Sequence, residues 1–355
     1  MTIHISDHPP LADQPSGDTP ISIRALSPDN GAHIREVIDL FERRFGERYP
    51  VQSVYRGTFW KHHINIRFCS IGLFSNRQLI GHFSYCHDIR FPGIAFIQHA
   101  AFDERGSDFI RENPQRIRDM IERLALRHRC HSIACLVPEE ISESSYFAEQ
   151  TMGCALASIW PRFFPHGDVR QDGYLFLHSL FPLELPSSLP EHHRKCVDAL
   201  NRRVKSHGSL QFDGPLEHVD SSKKKAFRVR SLPEVPANLI AVYPSLASQM
   251  ESLADKARNR AENELTYLVL SSSDPRSADF VTLLEDRGFA FCGIVPMLES
   301  RNALLFSLEE PTRSLCVEKH VVSPKESSYL SELGSYERVL LTRTFPKDTP
   351  VVDFV

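Results

Sequence analysis

The chain has 355 residues, enough for two domains of ordinary size, each long enough to bury a core of its own. A formal charge of −4, with 24% charged and 41% hydrophobic residues, is the balance of a soluble globular protein and leaves no footprint for a nucleic-acid partner. No run of about 18 apolar residues occurs, and the opening MTIHISDHPPLADQPSGDTP has neither the basic nor the apolar region of a secretory signal, so a cytoplasmic protein without a membrane partner is expected.

Residues 1–19 carry no apolar period and read as a flexible leader. From Ile21 the chain alternates as a strand (ISIRAL). SPDNGAHIREVIDLFERRFG then gives a helix start followed by Ile34, Val37, Ile38 and Phe41 at helical spacing. RFCSIGLFSNRQLIGHFSYCHD reads as two strands around a Ser75–Gln78 turn, and GIAFIQHAAF as a third after Pro92-Gly93. On the second of these strands His82, Ser84 and Cys86 share one face, and Phe83, Tyr85 and His87 the other. FDERGSDFIRENPQ (Phe102–Gln115) reads as a loop. Asn113 is the expected cap, with Pro114 at the first position, of a helix carrying Ile117, Met120, Ile121 and Leu124. HSIACLV is a buried strand, SESSYFAEQTMG a helix closed by Gly153, and ALASIW and YLFLHSL are two further strands.

The second half repeats this order less completely. AFRVRS and ANLIAVY read as strands, SLASQMESLADKARNRAEN as a helix, LTYLVLS as a buried strand, ADFVTLLEDRG as a helix, and FAFCGIV and NALLFSL as closing strands. TMGCALASIWP echoes DRGFAFCGIVP, with Gly, Ile and Pro each displaced by 135 (288 − 153, 294 − 159, 296 − 161). We therefore divide the chain into a leader at 1–19, a first domain at 20–182, a proline-rich linker at 183–193, a second domain at 194–345 and a tail at 346–355. Cys69, Cys86, Cys130, Cys135, Cys154, Cys196, Cys292 and Cys316 form no CxxC pair and read as reduced, mostly buried thiols. The 17 histidines include His62-His63 and His192-His193, but no HExxH or Cys/His spacing occurs, so no metal is expected. Lys223, Lys224 and Lys225 read as a solvated loop.

The order strand, helix, three antiparallel strands, helix, strand, helix, closing strands resembles the GCN5-related N-acetyltransferase (GNAT) fold, and IGLFSNRQLIGHFSY resembles its middle hairpin. Phe41–Tyr55, Leu189–Leu200 and Leu283–Pro296 resemble a group of bacterial proteins in which a complete GNAT-like half precedes a degenerate one. The resemblance implies an α/β (α+β) protein of two tandem GNAT-like domains, each a mixed, mostly antiparallel sheet flanked by helices. It also implies an acyl-CoA-dependent N-acyltransferase whose donor is acetyl-CoA or another acyl-CoA and whose acceptor is a small-molecule amine. A homodimer is compatible with it. The alternative is a non-catalytic ligand- or partner-binding protein on the same fold.

In that family the pyrophosphate meets an R/Q-x-x-G-x-G/A loop at a helix start, where free N–H groups favour anions. The resemblance therefore assigns Ala101, Phe102, Arg105, Gly106 and Ser107 to the cofactor. Asp108 stands where a second glycine is usual, and Asp103, Glu104 and Glu112 add negative charge, so the loop reads either as a modified cofactor site or as a structural remnant. Gly106→Trp is expected to block the cofactor without unfolding the chain. By the same resemblance His99 is the candidate base, with Gln98 beside it on the fourth strand, and Tyr146 the candidate acid. The position four before Gly153 is Glu149, where the family often has tyrosine. Tyr49, Tyr55, Trp60, His82 and Tyr85 are the candidate acceptor contacts. Each has a plain packing alternative: a hydrogen-bonded core histidine, a packed tyrosine, an aromatic cover over the sheet.

Overall fold

The computed structural model describes residues 21–46, 49, 52–64, 68–87, 93–138, 146–166, 169–180, 193, 227–232, 237–271, 274–298 and 301–308. The expected leader, almost all of the linker, the lysine run and the tail lie outside these residues. β1 (Ile21–Ala25) leads to α1 (Gly31–Phe45), whose cap is Asn30: its side chain accepts the N–H groups of Ala32 and His33 at 3.0 and 3.4 Å. Ile34, Val37, Leu40, Phe41 and Phe45 form its buried stripe, and Gly46 ends it at φ +58°. β2 (Phe68–Ser75) and β3 (Gln78–His87) make the expected hairpin. Asn76 and Arg77 both take positive φ, as a two-residue turn matched to strand twist requires. β4 (Ile94–Phe102) lies antiparallel to β3, and β5 (Ser132–Pro138) parallel to β4. A short π-helical turn (Phe147–Thr151) is followed by Gly153 at φ +66°, then by β6 (Ala155–His166) and β7 (Val169–Ser179).

The structure corrects the reading between β4 and β5. Phe102–Gln115 is not a loop: α3 (Glu104–Glu112) starts directly after β4, and α4 (Pro114–Arg127) follows with Asn113 at the joint. Asn113 does not cap α4 through its side chain, which instead donates to the Phe109 carbonyl and closes α3. An additional helix, α2 (Gly57–His63), lies inside the aromatic segment, which the sequence reads as a pocket lining or a cover over the sheet without assigning it a helix.

The second half supplies β8 (Phe227–Leu232), β9 (Ala237–Val242), α5 (Met250–Ala261), β10 (Thr266–Ser271), α6 (Ser277–Asp286), β11 (Ala290–Leu298) and β12 (Arg301–Ser307). All twelve strands form one mixed sheet, ordered β1-β2-β3-β4-β5-β7-β6-β11-β12-β10-β9-β8. The run β6-β7-β5-β4-β3 on one side of the seam is answered by β11-β12-β10-β9-β8 on the other. Each run holds one parallel pair, β4 with β5 and β9 with β10. The result is the mixed α/β architecture that the element order implied, with one continuous sheet where a separate sheet in each half was expected. Cys69, Cys86, Cys130, Cys135, Cys154 and Cys292 are free thiols, all but Cys69 buried; Cys196 and Cys316 lie outside the described residues.

Candidate functional site

β4 and β5 share ladder partners only from Ile94/Ser132 to Ile97/Cys135. Beyond that point β5 continues to Pro138 against β7, while β4 continues to Phe102 against β3. The two parallel strands therefore part halfway along their length, and the parting is built by a bulge. His82 pairs with Ala101 and Ser84 with Gln98, so Phe83 faces two residues, His99 and Ala100. His99 absorbs the extra residue at φ +48°, a conformation uncommon outside glycine but adopted more readily by asparagine, aspartate and histidine than by other residues.

Two hydrogen bonds hold this bulge. A carbonyl only accepts, so the 2.8 Å contact of His82 Nδ1 with the His99 oxygen places the proton on Nδ1. The unprotonated Nε2 then accepts from the Ser70 hydroxyl at 2.9 Å. Burial pushes the His82 pKa down to about 3, consistent with a neutral ring carrying one proton. The His99–Ala100 peptide is trans, so its N–H points opposite to the carbonyl that His82 holds.

The candidate residues fall in three places. Tyr49, Trp60, His82 and His99 come together under α1 and α2. Tyr49 Oη lies 3.5 Å from His99 Nδ1, and the Trp60 ring is 5.1 Å from His82 and 5.7 Å from His99. Trp60 donates to the Val54 carbonyl at 2.7 Å, and the Tyr55 hydroxyl donates to the Gly46 carbonyl. Tyr49 and Trp60 have no exposed surface, so this segment packs as a cover over the sheet. His82 is fully buried with both ring nitrogens engaged, which corrects its assignment as an acceptor contact: its ring holds β4. Gln98 is buried on the same face, beside Ser84.

Tyr85 is a second correction, because it lies on the opposite face of the sheet. Its hydroxyl is 3.0 Å from His128 Nδ1, at the end of α4, and 3.8 Å from the Cys130 sulfur. The third place is the helix that follows β5. Tyr146 stands half-buried at its described start, and Phe147 packs on Phe83 and Phe102 with ring centres 5.8 and 5.5 Å apart. Glu149 was noted in the sequence only as a departure from tyrosine. It is mostly buried, and desolvation pushes its pKa up to about 7. Only its place before Gly153 marked it in the sequence.

The residues assigned to the cofactor are arranged otherwise than expected. Asp103 caps α3, and its carboxylate accepts the Gly106 N–H at 2.9 Å, the donor that an anion at this helix start would use. Arg105 donates to Gln78 Oε1 at 2.9 Å, on the β3 side of β4 and away from the parting. Gly106 rests on the β3 backbone: a Cβ there would stand 2.3 Å from the Ile80 oxygen. Ser107 donates its N–H to the Asp103 carbonyl within α3, and Ala101 and Phe102 are buried strand residues. A diphosphate does not fit this helix start as it stands, because a carboxylate of the chain already sits on it. In the second half the matching end of the parallel pair is fastened shut. Asp274 accepts the Ser245 N–H and hydroxyl at 3.0 and 2.7 Å and the Arg276 N–H at 2.9 Å.

Among the described residues no group of three or more His, Cys, Asp and Glu is placed to hold a metal ion, and no helix is long and apolar enough to cross a membrane. No family model and no curated protein matches the chain. Solved structures do. An N-acetyltransferase from Staphylococcus aureus Mu50 is 15% identical and covers 45% of this chain and 97% of its own, with a TM-score of 0.36. The ribosomal-protein-S18-alanine N-acetyltransferase from Escherichia coli is 13% identical, covering 45% and 94%, with a TM-score of 0.35. The spermidine N-acetyltransferase from Vibrio cholerae, solved with CoA and spermine, is 17% identical, covering 45% and 95%, with a TM-score of 0.36. The solved structures that this chain resembles are GNAT-family N-acetyltransferases, each matching about 45% of its length.

Proposed function

We propose that the first half transfers an acyl group from a thioester, an acyl-CoA or a relative of it, to an amine of a small molecule. The observation that carries this reading is the parting of β4 from β5 at a bulge pinned by His82. An extended thioester arm would lie along the parting, and the Ala100 N–H, opposite the carbonyl held by His82, is the donor we assign to its acyl oxygen. His99 is the group we assign to take the proton from the acceptor amine. Its imidazole has a ring nitrogen able to accept a proton, and it is seated against Tyr49, Phe59 and Trp60 at the same bulge. Tyr146 and Gln98 remain candidates beside it, and we keep the division into two tandem halves, with the second one closed.

The test is release of free thiol from acetyl-CoA and from S-acetylpantetheine in the presence of polyamines and amino sugars, with wild type and His99→Asn. Asparagine tolerates the left-handed conformation that the bulge demands, so the variant removes the imidazole while keeping the strand. A loss of about 100-fold or more in kcat with an unchanged melting temperature is the expected result; equal turnover by the variant removes His99 from the reaction. The alternative, a binding protein without catalysis, is favoured by the Asp103 cap on α3. It predicts no thiol release from either thioester with any amine.

A further inference from the structure

We propose that Asp103 sets donor specificity: its carboxylate occupies the anion seat at the start of α3, so the chain takes a thioester arm without gain from a diphosphate end. For the identity of the donor this rests on the acyl-transfer reading. For the seat itself it rests on geometry alone.

The helix that a diphosphate would approach is nine residues long and begins where β4 ends. Its start is already satisfied from within the chain. Asp103 Oδ1 accepts from Gly106 N at 2.9 Å, its carbonyl accepts from Ser107 N at 2.9 Å, and its own N–H donates to the Ile80 carbonyl at 2.8 Å. A phosphate oxygen placed on the same N–H groups would have to displace this carboxylate or lie against it, and like charges at that distance repel. The nearby cations offset it only in part, Arg105 through a loose, exposed ion pair with Asp103 itself. Arg105 is 3.9 Å from the second Asp103 oxygen and bonded to Gln78, while Arg111 is paired with Asp108 at 2.8 Å. Nor is there freedom to move, since Gly106 rests on the Ile80 carbonyl so closely that even a Cβ would not fit.

The discriminating variant is Asp103→Asn, which has nearly the shape of aspartate, caps a helix as well and carries no charge. Asp103→Ser is a second neutral cap should the first destabilise the chain. Calorimetric titration of the full chain with inorganic pyrophosphate, acetyl-CoA and S-acetylpantetheine separates the terms. We expect wild type to bind S-acetylpantetheine at least as tightly as acetyl-CoA. In the variants pyrophosphate and acetyl-CoA should tighten by tenfold or more while S-acetylpantetheine stays unchanged. A wild type that prefers acetyl-CoA by tenfold, or variants in which neither pyrophosphate nor acetyl-CoA gains, would overturn the assignment. Failure of the acyl-transfer reading is seen separately, as absence of thiol release; the pyrophosphate response of the variants is independent of it.

Discussion

Three buried or mostly buried groups in the first half pull the stability of the protein in opposite directions as pH changes. His82 is held neutral by burial at a pKa of about 3, against 6.5 for the free side chain. The unfolded chain therefore takes up a proton that the native one refuses, and stability is lost as pH falls from 6.5 toward 3. His131, pushed down to about 4 by burial, adds to the same trend. Glu149 does the reverse. Its pKa rises from 4.5 to about 7, so the native state holds a proton that the unfolded state has lost, and stability present below pH 4.5 is lost as pH rises through 7. Glu149→Gln keeps the shape of the protonated acid and removes its titration. We expect urea unfolding to show the variant about 2 kcal/mol more stable than wild type at pH 8 and little different at pH 4.5. Equal stabilities at pH 8 would mean that the carboxyl is solvated in solution.

At the scale of elements, α3 shows how far a sequence can be read and where it stops. Arg105-Gly106 beside acidic residues resembles a worn cofactor loop, and the glycine was expected to admit a phosphate. In the structure the same glycine is needed for a different close approach: helix start against strand backbone, with the Ile80 oxygen 2.3 Å from where a Cβ would be. Gly106→Trp is therefore no clean probe of a cofactor, because it would unfold the chain. Even Gly106→Ala is expected to cost roughly 1–3 kcal/mol, read as a lower urea midpoint with an unchanged slope; a midpoint equal to wild type would show that α3 lifts off β3 at little cost. A glycine's role depends on its partner across space, and nothing in FDERGSDFIRENPQ names Ile80. The same limit hid the division of the histidines. Alternation placed His82 and Tyr85 on opposite faces of β3, yet only the packing of α1, α2 and α4 decides which face holds the bulge and which holds His128. By contrast the hairpin, the helix start in SPDNGAHIR, the closing Gly153 and the buried strands were legible because each depends on neighbours in sequence.

The whole molecule is organised about a seam that the sequence announced in numbers before the structure gave it a place. The echo of 135 residues joins Gly153 with Gly288, both at positive φ, and Ile159 with Ile294, both buried. The partner residues recorded between β6 and β11 are Ser158 and Gly293, themselves 135 apart (293 − 158). Equivalent residues of two antiparallel strands face each other where a local two-fold axis passes between them, and that is the relation the 135-residue echo gives Ser158 and Gly293. The symmetry is imperfect for a steric reason. A Cβ at residue 293 would lie 2.4 Å from the Ala157 oxygen and 2.6 Å from the Ser158 Cα, and φ there is +121°, so one of the two facing positions must be glycine. Around this contact the Tyr267 hydroxyl donates to the Pro161 carbonyl at 2.7 Å, and its ring lies 4.8 Å from that of Trp160. A seam this tight makes the two halves one cooperative unit, with a single transition expected in calorimetry. Gly293→Ala forces β6 and β11 apart while leaving both cores filled, so the single transition should divide into two, the half containing β11 melting first. One transition at the wild-type temperature would show that the continuous sheet bends to take the methyl group and that the seam is not what couples the halves.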